Sequence, residues 1–277
     1  MTVAEFTPLV FVAALVAGCL GSLTGLGGGV VVTPVLTLFL GVEMHYAIGA
    51  SLISVIATSS GAAAAYVRDG YSNIRIGMFL EIATTIGAVA GALVGSHIPT
   101  AYLSIIFGLI LLQSAAQAVH DKKNNARPHA ADSIAQKLKL DGSYTTPQGV
   151  ERYEVHHVKS GFALMFGAGA ISGLLGIGSG SLKVIAMDQV LKIPFKVSTA
   201  TSNFMIGVTA AASASLYLSR GYVDPAVTMP VLLGVLAGST IGARFLPILP
   251  VTVLRRVFAV VVGVMAIQMI WGGWHHR

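Results

Sequence analysis

The sequence predicts an all-α polytopic membrane protein made of two inverted-topology repeats, each with about five apolar segments. Broken or re-entrant helices rich in glycine would meet near the midplane. Three observations lead to this reading. The 277 residues are 55% hydrophobic and 10% charged, with a mean hydropathy of +0.79. A soluble core does not need that much apolar surface, whereas each membrane span takes about 20 apolar residues. The apolar segments fall into two sets separated by a polar run, and the second set repeats the first at a fixed offset.

The first set covers 6–23, 29–40, 46–67, 76–94 and 102–119. Helical periodicity is weak in these segments because they are apolar nearly all round, as buried or lipid-facing spans are. The start, "MTVAEF", has no basic n-region, and no A-x-A-like site closes the first apolar run. It reads as a membrane helix and not as a cleaved signal. The second set covers 161–175, 182–191, 197–218, 226–245 and 251–271. Between the sets lies the polar run "HDKKNNARPHAADSIAQKLKLDGSYTTPQGVERYEVHHVKS". The expected organisation is a first transmembrane repeat over 1–120, a cytoplasmic linker over 121–158 and a second repeat over 159–277.

The two sets align without gaps at an offset of about 151 residues. Gly25, Gly27 and Gly29 fall on Gly176, Gly178 and Gly180. Ser51 falls on Ser202 and Thr58 on Thr209, while Tyr66, Gly70 and Tyr71 fall on Tyr217, Gly221 and Tyr222. Gly87 and Gly91 fall on Gly238 and Gly242. Five segments is an odd number, so the second repeat enters from the opposite side.

The cations agree with that inversion. With the N-terminus outside, Arg68, Arg75, Lys122, Lys123, Arg127, Lys137, Lys139, Arg152, Lys159, Lys192, Lys196, Arg244, Arg255 and Arg256 fall inside. Arg220 and Arg277 fall outside, and Lys183 lies within a segment. This is the bias of the positive-inside rule. The net charge of +6 is therefore topogenic and not a nucleic-acid footprint. A multi-pass membrane protein follows, with both termini outside. The single cysteine, Cys19, excludes an internal disulfide and a Cys-rich metal or redox site. The histidines lie in loops or at segment ends; His156 and His157 read as solvated linker residues. No metal and no cofactor is expected.

The segment 29–40 amounts to roughly 18 Å of helix, too short for a hydrocarbon core of about 30 Å. The segment 182–191 is shorter still. The first two segments of each repeat therefore read as a hairpin that either crosses or re-enters, with tips at "GLGGG" and "GIGSG". Irregular backbone at membrane depth is tolerated where it is buried in protein or lines a cavity. Secondary transporters place their substrate at such breaks, where half-helix N-termini attract anions. Pro34, just past the first tip, shapes the short helix that follows. The expected substrate site comprises Gly25, Gly27, Gly28 and Gly29, with Gly176, Gly178, Ser179, Gly180 and Ser181 opposite them. Ser51, Thr201, Ser202 and Asn203 would offer polar groups to substrate oxygens, although Ser and Thr also join membrane helices. Glycine serves close packing too, the simpler reading of Gly87, Gly91 and Gly95 at four-residue spacing.

Lys183 and Glu81 are the ionisable residues that stand out. Lys183 lies in the first turn of a short helix, where a cation opposes the helix dipole, and a buried cation needs a counter-charge. A bound anion would answer both; the alternative is snorkelling to the inner interface. Glu81 is a proton-coupling candidate, because intramembrane carboxylates serve proton relays. Its alternative is a pair with Arg75 at the inner edge. Asp188 and Lys192, four apart in the favourable order, read as a local pair.

The glycine strings are no dinucleotide fingerprint, since no βαβ unit surrounds them, and no G-x-x-x-x-G-K-[ST] loop is present. The paired "GLGGG" and "GIGSG" tips, the following "AIGASLIS" and "VSTATSN" helices, and "RDGYSNIR" beside "SRGYVDP" resemble the sulfite exporter TauE/SafE family. The resemblance covers nearly the whole membrane portion. It implies a transporter, not an enzyme, for sulfite, sulfonates and related sulfur-containing anions in bacterial inner membranes. Its partners would be that anion and the bilayer, with no nucleic acid; a monomer and a homodimer both fit. The competing readings are an anion channel, a membrane scaffold, and an intramembrane serine protease using Ser179 or Ser181. The last lacks a well-placed base, because the histidines downstream are His275 and His276 at the chain's end.

Overall fold

The computed structural model describes residues 3–24, 28–68, 72–95, 97–119, 132–146, 149–176, 178, 180–245 and 251–275. In the first half, α1 spans Val3–Thr24 and α2 spans Gly29–Pro34, continuing as a π-helical turn over Val35–Phe39. Then follow α3 (Met44–Arg68), α4 (Ile74–Gly95) and α5 (Thr100–Val119). In the second half, α7 spans Val158–Leu175 and α8 spans Gly180–Ile185, continuing as a π-helical turn over Ala186–Val190. The chain finishes with α9 (Phe195–Ser219), α10 (Pro225–Phe245) and α11 (Val251–His275).

Among the described residues, Ile74–Gly95, Val158–Leu175 and Pro225–Gly242 are long and apolar enough to cross a membrane. The α4 helix shows why periodicity is faint. Leu80, Ala83 and Ala88 are buried, yet Met78, Ile82 and Ile86 on the opposite side are 61%, 57% and 57% exposed. Both faces are apolar because one meets protein and the other presents the band that suits lipid.

Three helix pairs carry most of the packing, α1 with α10, α4 with α7 and α5 with α11, and the first two run parallel. Gly87, Gly91 and Gly95 of α4 sit against Phe166, Ala170 and Leu174 of α7. Gly234, Gly238 and Gly242 of α10 sit against Phe11, Leu15 and Cys19 of α1. Partner numbers rise together along each pair, which fixes the direction. Glycine lets the backbones approach where no hydrophobic force between helices would draw them together. The α3 and α9 helices pack on each other, and the Ser59 hydroxyl donates to the Asn203 carbonyl at 2.5 Å. The α5 and α11 helices pack along each other.

The linker departs from a purely helical fold. It holds a short helix, α6 (Ser133–Lys137), and an antiparallel hairpin of β1 (Gly142–Thr146) and β2 (Gly149–Tyr153), with Gly142 opposite Tyr153. It is also docked. Asn73, just before α4, donates through Nδ2 to the Leu140 carbonyl at 2.9 Å and to the Tyr153 hydroxyl at 2.8 Å. His156 is buried, contrary to the solvated residue expected, because its backbone N–H donates to the Leu191 carbonyl and draws the segment onto the helix ends.

Asp132 fastens this linker to the second half. Its Oδ2 accepts from the Val158 N–H and its Oδ1 from the Ile134 N–H, each at 2.9 Å. The Val158 bond, then the Ile134 bond, hold its carboxyl below the ordinary carboxylate pKa. A depressed folded-state pKa stabilises above the unfolded value and loses that effect as pH falls through the folded one. The junction should therefore hold at neutral pH and loosen below about pH 4. Hydrogen exchange at the Val158 amide, corrected for intrinsic rate, should speed up in Asp132→Ala at neutral pH. Unchanged protection there would show that another contact holds the junction.

Candidate functional site

Three helices bring the two ionisable residues together. Lys183 on α8 is 0% exposed and Glu81 on α4 is 7% exposed. The Lys183 Nζ lies 3.8 Å from Glu81 Oε2 and donates to Thr209 Oγ1 on α9 at 2.5 Å. The Thr209 hydroxyl in turn donates to Glu81 Oε1 at 2.6 Å, and the Thr85 hydroxyl reaches the same oxygen at 3.2 Å. Side chains lean toward the N-terminus of their own helix, so the Lys183 stem points back along α8 toward its glycine tip. Neither alternative from the sequence holds. Lys183 is wholly buried and does not snorkel, and the partner of Glu81 is Lys183, not Arg75.

The two tips also meet. The Ser51 hydroxyl on α3 lies within donating distance of two carbonyls, Gly176 at 2.8 Å and Gly29 at 3.2 Å, one from each tip. A Cβ at Gly29 would fall 2.6 Å from Ser51 Oγ and 3.0 Å from the Gly176 carbonyl. Gly176 and Gly178 have φ of +68° and +70°, a left-handed backbone that a residue with a Cβ rarely adopts. Gly178 rests between Ile206 of α9 and Val55 of α3. Gly28 lies opposite Thr58, whose Oγ1 would be 3.1 Å from a Cβ there.

The expected hydroxyl contacts turn out to be partly engaged. The Ser202 hydroxyl donates to the Gly180 carbonyl at 3.3 Å, as Ser51 does at the other tip. Thr201 Oγ1 accepts from the Asn73 N–H at 3.0 Å, and Asn203 Nδ2 donates to the Thr199 carbonyl at 3.1 Å. Ser51 and Ser202 thus tie the broken backbone to α3 and α9. Gly25, Gly27 and Ser179, and the side chain of Ser181, lie outside the described residues.

Sequence reasoning aligned Thr209 with Thr58 but missed its bridging of Lys183 to Glu81. Ser202, Ile206, Thr209 and Ser213 stand at helical spacing on α9, and all four are buried, so the stripe was the available signal. It missed Asn73 as an anchor. It also missed His45, whose ring stacks on Tyr222 with centroids 5.0 Å apart while Nδ1 meets Glu43 Oε1 at 2.7 Å. No sequence pattern marks that stack.

A buried ion pair beside two meeting glycine tips suits the handling of a small anion. The model of the sulfite exporter TauE/SafE family matches residues 10–269. The chain belongs to this family. Similar TauE/SafE relatives include the probable membrane transporter protein YunE of Bacillus subtilis (strain 168), 28% identical over 96% of this chain and 97% of that protein. A probable membrane transporter protein of Xylella fastidiosa (strain 9a5c) is 26% identical over 99% of this chain and 98% of its own length. The probable membrane transporter protein MJ0441 of Methanocaldococcus jannaschii is 25% identical over 95% of each. No solved structure matches the chain. TauE/SafE relatives are named as membrane transporters and not as enzymes, so the protease reading falls.

Proposed function

We propose that this TauE/SafE protein is a secondary transporter moving a small sulfur-containing anion, sulfite or an organosulfonate, across the inner membrane by alternating access. The observation that carries the proposal is Lys183, a wholly buried cation beside a glycine tip that meets its counterpart from the other half. A fixed charge in a dry site selects anions more strongly than backbone dipoles alone. Glu81 is the coupling carboxylate.

The two halves, 1–120 and 159–277, act as inverted repeats joined by the linker 121–158. Supporting this, the short helices begin at Gly29 and Gly180, the π-helical turns at Val35 and Ala186, and the long central helices at Met44 and Phe195, each 151 positions apart (29 to 180, 35 to 186, 44 to 195). The packing follows the same exchange: α1 lies on α10 as α7 lies on α4. With cytoplasmic cations setting orientation, both termini face outward. Rocking of one half against the other would open the tips to each side in turn.

Proteoliposomes loaded with sulfite, thiosulfate, taurine, sulfoacetate or sulfate test this. Saturable uptake of labelled sulfite or sulfoacetate, accelerated by the same anion inside, is the expected result. Flux that neither saturates nor responds to internal anion would make the protein a channel. Absence of flux for all five anions would overturn the substrate class.

A further inference from the structure

We infer that Glu81 is a stand-in counter-ion which the substrate anion displaces from Lys183, and that the displaced carboxylate takes up a proton, so that anion and proton bind together. This inference rests on the transporter reading above. The geometry is that of a placeholder. The Lys183 ammonium has three donors, and Thr209 takes one of them. At 3.8 Å the Glu81 Oε2 is too distant for a hydrogen bond, and that oxygen, although buried, has no hydrogen-bond partner. An oxyanion with donors aimed at it would hold the ammonium better than this carboxylate does.

The other half shows that the fold does not require the pair. At the offset of about 151 residues, Val32 corresponds to Lys183, Leu232 to Glu81 and Thr58 to Thr209. Val32 is buried, Leu232 is half-buried, and the Thr58 hydroxyl donates to the Ser54 carbonyl at 2.8 Å. The matching positions thus carry apolar side chains. A buried ion pair is commonly no more stabilising than apolar residues of similar size, so stability does not account for the charges.

The proton follows from charge. When an anion takes Lys183, an ionised Glu81 would be left buried beside a second negative group, and like charges at close range favour protonation. Among the described residues, Lys183 is the charged group in ion-pair range of Glu81. The other charges on the elements around it are Arg75, six residues earlier on α4; Lys159 and Lys196, in the first turns of α7 and α9; and Asp188, in the turn after α8. Thr209 and Thr85 remain on Oε1 and accommodate either state, since a hydroxyl donates or accepts. One proton enters for each anionic charge that Lys183 transfers from Glu81 to substrate. Affinity should accordingly be highest at low pH and fall as pH rises.

Methanesulfonate is a suitable probe because its charge does not change with pH. Its binding to the purified full-length protein should be followed by calorimetry in two buffers of different ionisation enthalpy. Wild type should bind it about tenfold more weakly near pH 7 than near pH 6 and take up close to one proton per anion across that range. Glu81→Gln should bind it with no pH dependence and no proton uptake, at an affinity no weaker than wild type at low pH. Glu81→Asp should retain the uptake, which keeps the test open if Glu81→Gln does not fold. Wild-type binding without proton uptake would overturn the inference while leaving the transporter reading intact. Failure of wild type to bind methanesulfonate, sulfite and sulfoacetate alike would instead overturn the substrate class, and the inference with it.

Discussion

Lys183→Met should weaken sulfite or sulfonate binding roughly 30-fold or more and still yield a folded protein. A charged hydrogen bond lost from a buried site typically costs about 2–5 kcal/mol, and about 1.4 kcal/mol corresponds to tenfold in affinity. Folding survives for two reasons. The corresponding position in the first half is Val32, 3% exposed, so an apolar side chain fits this niche on a short helix. The carboxylate left behind, Glu81, can neutralise itself by protonation and so avoid the full penalty of an unpaired buried charge. Lys183→Arg should keep part of the affinity, because charge matters more here than shape. Calorimetry in detergent, with gel filtration to check folding, measures both variants. A folded Lys183→Met that binds as tightly as wild type would remove the lysine from the site and leave the backbone tips to hold the anion.

The sequence shows clearly what glycine and hydropathy encode. The two glycine strings are visible in the sequence, and the short helices at Gly29–Pro34 and Gly180–Ile185 begin at their last glycines. The hairpin in the linker was hidden for the opposite reason. Its strands, "GSYTT" and "GVERY", are short and mostly polar, with little apolar alternation to mark them; Asn73 and the packing of Leu140 hold them from outside.

The site was legible only in its parts. Lys183 and Glu81 each stand out as ionisable residues within apolar helices. Nothing in one dimension says that α4, α8 and α9 converge so that Thr209 joins them. The repeat alignment pointed away from the pair, since it matches Lys183 to Val32. The hydroxyl groups of Ser51 and Ser202 were also ambiguous. Ser51 and Ser202 face inward as their spacing requires, but the broken tips expose carbonyls, and those carbonyls receive the hydroxyls. The acceptors exist because the helix is broken, a consequence that appears only once the breaks have a shape.

The second large effect should come from glycines remote from any charge. Gly91 of α4 faces the Ala170 carbonyl of α7, and Gly173 of α7 faces the Ala88 carbonyl of α4; a Cβ at either place would run into partner backbone. Backbone cannot rotate aside as a side chain does, so the helices must part along the whole seam. Overpacking costs about 1–3 kcal/mol or more where neighbours cannot yield, and in a membrane the lost close packing is itself the main attraction. Gly91→Val and Gly173→Val should each lower Tm by about 5–10 °C if the cost is near 3 kcal/mol. Gly167→Val is the control, since a Cβ at that α7 position meets nothing within 4 Å. Parting α4 from α7 also shifts the helix that carries Glu81 relative to Thr209, so the two seam variants should lose proton uptake on methanesulfonate binding as well as stability, and Gly167→Val should lose neither. Thermal melts followed by size-exclusion chromatography decide it: if the seam variants melt with the control, the glycines are not what holds α4 against α7, and the carboxylate of Glu81 must be positioned by α9 alone.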